Sequence, residues 1–77
     1  MTAAARRDKK VLTMMARGQS DDTISRAVGL TYGTIRVYNH RLYQRLGANN
    51  RAHAVAIFLT EELYVTENGL SKKPGRG

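Results

Sequence analysis

Gly29 falls eight residues after Asp21, inside the stretch DDTISRAVGLTYGTIRVYNHRLYQRL (Asp21 to Leu46), and divides a helical pattern into a short half and a longer one. Two short helices that cross steeply need apolar residues at the crossing, a small residue where the backbones come closest, and a turn residue that tolerates positive φ. This stretch supplies all three: Ile24, Val28, Leu30, Ile35 and Tyr38 as apolar positions, Ser25 as the small one and Gly29 at the turn. The expected centre of the fold is therefore a helix, a sharp turn and a second helix.

The flanking segments read as support for that unit. From Arg6 a helical pattern places Val11, Leu12, Met15 and Ala16 at spacings of three and four, with Met14 beside them, and Gly18 ends it, so a first helix is expected over about 6 to 17. Ser20 offers an N-cap oxygen to the second helix, whose first turn carries Asp21 and Asp22 at the positive end of the helix dipole. Thr31 caps the third helix, about 32 to 46, which lines up Ile35, Tyr38, Leu42 and Leu46 on one stripe and stops at Gly47. Asn50 then caps a fourth, RAHAVAIFLTEEL, apolar nearly all round. Ala54, Val55 and Phe58 suffice to cover a small core, leaving Ala52, Ala56, Leu59 and Leu63 as a second apolar face that calls for a partner, for which a homodimer interface is the first expectation. The organisation expected is all-α with four helices: residues 1–5 disordered, 6–63 the domain, and 64–77, ending SKKPGRG, a flexible basic tail.

At 77 residues the chain is one small domain and is too short to bury a core and a deep catalytic cavity together. No carboxylate pair, nucleophile constellation or phosphate loop is visible, so no enzymatic activity is expected. There is no cysteine, and His40 and His53 have no companions at ligand spacing, so neither metal nor cofactor is expected. Thirteen Lys and Arg against six Asp and Glu give +7 and favour a polyanionic partner. No apolar run approaches the roughly 20 residues of a membrane span, and the N-terminus lacks the apolar core of a signal peptide. No membrane association is expected; the location expected is cytoplasmic, at the nucleoid when bound to DNA.

With the apolar stripe of the third helix turned inward, a wheel at roughly 100° per residue turns Gly33, Arg36, Val37, His40 and Gln44 outward. These types suit a DNA groove. Arg36 can make a bidentate contact to guanine, Val37 can touch a thymine methyl, and His40 and Gln44 can exchange hydrogen bonds with base edges. Thr31, Thr34, Arg41, Tyr43, Arg45 and Arg51 are the candidates for phosphate contact. From Leu30 to Arg51 there are four arginines and no acid, a local charge of +4.

The run VLTMMARGQSDDTISRAVGLTYGTIRVYNHRLYQRLGANNRAHAV resembles the LuxR/GerE-type DNA-binding domain. It shares VL, the A-x-G-x-S start of helix two, TI-x-V, the RLG end of helix three and the NR-x-x-AV start of helix four, over about residues 6 to 63. The resemblance implies a four-helix domain that inserts helix three in the major groove of double-stranded DNA and dimerises through helix four. It also implies base contacts at Arg36, Val37 and His40 and a phosphate contact at Thr34. The chain departs from the family pattern at Lys10, usually glutamate, at Tyr38, usually histidine, and at Gly33, where a Lys or polar residue is common. Most members also carry a receiver or ligand-binding domain; this chain reads as the DNA-binding domain standing alone. A reading of a different class is a protein-interaction module, a small adaptor or anti-regulator that binds another regulator or an RNA polymerase subunit.

Overall fold

The computed structural model describes the backbone of residues 3–68 and the side chains of residues 5–61. Within those bounds the elements are α1 (Ala3–Ala16), α2 (Asp21–Val28), α3 (Tyr32–Leu46) and α4 (Arg51–Asn68), with no strand. α1 packs on α4 and α2, while α3 packs on α2 and α4.

Each boundary has a local cause. The hydroxyl of Ser20 accepts the Thr23 amide at 3.2 Å and so caps α2. Thr31 accepts the Thr34 amide at 3.1 Å and caps α3 in the same way. At the turn between them Gly29 has φ of +72°, and Leu30 N donates to Ser25 O at 2.9 Å, the closing bond of a left-handed helix end. α4 opens on a reciprocal cap: Asn50 Oδ1 accepts from His53 N at 2.9 Å, and His53 Nδ1 accepts from Asn49 N at 3.1 Å. That cap gives His53 a structural role.

The core is Val11, Leu12 and Met15 of α1, Ile24 of α2, Ile35 and Leu42 of α3, and Ala54 of α4. Met14, Val28, Leu30, Tyr38, Leu46, Val55 and Phe58 close around it. Ser25, 2% exposed, stands where the helices come together, and its hydroxyl is satisfied within α2 by donating to Asp22 O at 2.8 Å. Ala16, expected inward, is exposed. The first helix begins at Ala3 rather than Arg6, since three consecutive alanines are the strongest helix formers available. The fourth runs past Leu63 to Asn68 because no Gly or Pro interrupts it before Gly69. Residues 69–77, which hold most of the expected basic tail, lie outside the described residues, as do Met1 and Thr2. Among the described residues, no helix is long and apolar enough to cross a membrane.

Two glycines should respond oppositely to alanine. Neither would bring a new Cβ within 4 Å of another atom, so backbone conformation decides. Gly29→Ala forces a side chain into the left-handed region and should cost about 1–2 kcal/mol. Gly33→Ala sits in ordinary helix and should add up to about 1 kcal/mol of stability. Urea unfolding of the two variants against the parent checks the signs.

Candidate nucleic-acid interface

α3 presents three arcs, and side chains from other helices determine what each can do. Its inward arc holds Ile35 and Leu42, fully buried, with Tyr38 and Leu46 half-buried, as the stripe predicts. Asn39 lies at the edge of the same arc, roughly 40° from Ile35 on a wheel of about 100° per residue and on the side away from Tyr38, and is 3% exposed. Its position on the wheel was the available signal for that burial. Its Nδ2 donates to Asp21 Oδ1 at 3.1 Å, while its Oδ1 has no hydrogen-bond partner.

One flank of α3 is held by α1. Asp8 accepts the Tyr38 hydroxyl and also receives Arg45, with N–O distances of 3.1 and 3.2 Å to its two oxygens. The opposite flank is held by the start of α2. Asp21 accepts Asn39 of α3 and pairs with Arg51 of α4 at 2.6 Å, and Arg51 also donates to Gln19 O. A third tie joins α1 to the end of α2, where Lys10 Nζ donates to Ala27 O at 3.2 Å, a cation at the negative end of a helix dipole. Two of the departures from the family pattern, Tyr38 and Lys10, thus have partners on neighbouring helices.

These contacts sort the four arginines of the stretch. Arg45 and Arg51 are engaged by carboxylates, whereas Arg36 and Arg41 form no ion pair among the described residues. Arg36 instead donates from Nη1 to the Tyr32 hydroxyl at 3.2 Å, with its guanidinium carbon 5.8 Å from the ring centroid. That hydrogen bond raises the already high Arg36 pKa.

The remaining outward surface is uncommitted. Val37 is 53% exposed, and His40, Arg41 and Gln44 are exposed with no side-chain hydrogen bond or ion pair among the described residues. Shallow hollows flank this ridge. One is lined by Thr31, Gly33, Thr34, Val37, Tyr38, Arg41, Gln44 and Arg45, the other by Asp21, Arg36, Asn39, His40, Tyr43 and Arg51. The expected base-reading residues divide between them, Val37 and Gln44 on one side and Arg36 and His40 on the other. Of the expected phosphate contacts, Thr34 and Arg41 are exposed, Thr31 caps the helix and donates its hydroxyl to Thr34 Oγ1 at 2.9 Å, and Tyr43 is half-buried with its pKa raised by burial. On α4, Ala52, Ala56 and Leu59 are exposed, Leu59 at 49%; the side chain of Leu63 lies outside the described residues.

A short helix, a glycine turn and a longer helix with one face buried, its flanks pinned and its outer ridge free define a helix-turn-helix domain. The family described as bacterial regulatory proteins, luxR family, matches residues 5–58, and the chain belongs to that family. Among curated proteins it is 40% identical over 48 residues to YhjB of Escherichia coli (strain K12), named as an HTH-type transcriptional regulator, covering 62% of this chain and 24% of the relative. It is 35% identical over 57 residues to NarL of Mycobacterium tuberculosis, named as a transcriptional regulatory protein, covering 74% of this chain and 26% of the relative. The chain thus spans about a quarter of the length of the curated relatives it matches. No solved structure matches it significantly.

Tyr38 makes the Asp8 clamp visible in solution. Burial, then the hydrogen bond to Asp8, pushes its pKa from 10.0 up to about 12. The folded state therefore holds this proton more tightly than the unfolded chain does. The stabilisation is complete below pH 10 and is lost as pH rises through about 12. Thermal melts across that window should show the parent losing stability more steeply than Tyr38→Phe. Parallel profiles would mean that Tyr38 carries no such linkage.

Proposed function

We propose that the chain is a sequence-specific double-stranded DNA-binding transcriptional regulator that docks α3 in the major groove. The observation that carries this reading is the unpartnered outer ridge of α3 on a helix whose flanks are both fixed. A rigid helix with free donors, acceptors and one apolar contact suits base readout, because its side chains are aimed before binding. Arg36, Val37, His40 and Gln44 are the proposed base contacts. Thr34 and Arg41 lead the phosphate contacts, with Thr31, Tyr43, Arg45 and Arg51 at the margins, where they also hold the fold. Gly33 lets the helix start approach the duplex closely. The net charge of +7 supports a polyanionic partner and an affinity that falls steeply with salt. The names of the relatives, transcriptional regulators both, agree with the reading. It involves no enzymatic step and no cofactor, and it places the protein in the cytoplasm, at the nucleoid when bound.

We also propose that it acts as a homodimer through Ala52, Ala56, Leu59 and Leu63 of α4, on a two-fold symmetric site. The exposure of Leu59 is equally what an adaptor would offer to another regulator or an RNA polymerase subunit. That second reading differs in predicting a tight protein complex and only non-specific duplex affinity.

Two measurements separate these readings. Binding of Arg36→Ala to a duplex selected by the parent should lose about 1–3 kcal/mol of discrimination at one base pair, whereas Arg41→Ala should weaken all duplexes alike. Equal loss by Arg36→Ala on selected and random duplex would falsify its base-reading role. For the dimer, sedimentation of Leu59→Glu should show a monomer where the parent runs as a dimer. Identical monomeric behaviour of the two would remove α4 as the self-association surface.

A further inference from the structure

We propose that Tyr32 is a specificity-determining positioning residue that holds Arg36 ready for a single base pair; this rests on the DNA reading above. Tyr32 is the first residue of α3 and Arg36 lies one turn later on the same flank. The Arg36 Nη1 group donates to the Tyr32 hydroxyl at 3.2 Å. At 5.8 Å the guanidinium is near the outer limit for attraction to the ring face, so the hydrogen bond is the main tie and the ring adds to it. Tyr32 is 51% exposed, so burial in the core does not account for a side chain of this size at the helix start.

The contact has a directional consequence. On the wheel Arg36 stands to one side of the ridge formed by Val37 and Gln44, beside the hollow it shares with His40. A free arginine there could sweep from the helix start to the neighbouring phosphates. Tied through Nη1, it keeps the edge formed by Nε and Nη2 available for a paired contact to guanine O6 and N7. Part of the ordering that binding would otherwise impose is already complete in the unbound protein. The tie therefore favours one base over its neighbours more than it strengthens attachment to DNA in general.

The test compares the parent, Tyr32→Phe, Arg36→Ala and the double variant on the duplex selected by the parent and on the same duplex altered at the pair Arg36 reads. Tyr32→Phe keeps the ring and removes the acceptor. It should lower the ratio of the two affinities by about three- to tenfold, with little change on random duplex. In the Arg36→Ala background the same substitution should change nothing further, because Tyr32 acts through Arg36. An unchanged or higher ratio for Tyr32→Phe overturns the proposal. So does an equal loss in the Arg36→Ala background, which would make Tyr32 a base contact in its own right. If the parent discriminates among no duplexes, the DNA reading itself falls and this inference with it. That outcome is distinguishable, because it appears before any variant is measured.

Discussion

Two carboxylates, Asp8 and Asp21, fix the rotation of α3 about its own axis. An apolar stripe alone fixes rotation loosely, because Ile35, Leu42 and Leu46 present similar surfaces to the core. The polar ties are directional. Asp8 takes Tyr38 and Arg45 on one flank, and Asp21 takes Asn39 on the other while pairing with Arg51 from α4. A rotation that improved one set would break the other. Because ion pairs with exposed partners contribute only about 0–1 kcal/mol each, orientation is a larger consequence of these contacts than stability.

The same two residues decide where the positive charge is available. The stretch from Leu30 to Arg51 reads as +4 in isolation, yet Asp8 and Asp21 neutralise Arg45 and Arg51 from outside it. Arg36 and Arg41 remain. One is tied to a neutral phenol, which leaves its charge intact, and the other is open. The cationic character of the face is thus concentrated on two side chains that bracket Val37 and His40, rather than spread along the helix.

How much of this the sequence could reveal depended on the distance between partners along the chain. The caps and glycine ends are local, three to five residues across, and Ser20, Gly29, Thr31 and Gly47 mark the ends of α2 and α3 where the spacing predicts. The inward stripe was legible for the same reason. Asp8 meets α3 from 30 and 37 residues away and Asp21 meets Asn39 and Arg51 from 18 and 30, and no periodicity connects such pairs. Asp21 was therefore legible only as a favourable charge at a helix start. Tyr32 is hard to assign for a different reason: its partner Arg36 is only one turn away, but the first residue of α3 belongs to neither the inward nor the outward stripe. The ends of α1 and α4 shifted because periodic apolar residues mark where a helix is buried, not where it stops. The helical backbone runs through Ala3–Ala5 at one end of the chain and on from Leu63 to Asn68 at the other.

Gly33 shows what the fold leaves unexplained. It sits in the first turn of α3 with ordinary helical φ, and a Cβ there would meet no atom within 4 Å. Neither a left-handed turn nor a close helix crossing calls for glycine at this position, and in a helix glycine costs about 1 kcal/mol relative to alanine. Gly29, by contrast, is demanded by its φ of +72°. A residue that weakens the helix without serving its packing needs an explanation outside the chain. A surface that approaches the start of α3 closely would supply one, and on the proposed reading a duplex docked along the ridge of Val37, His40 and Gln44 would lie against that same turn. The proposed reading accounts for a glycine that folding alone would replace.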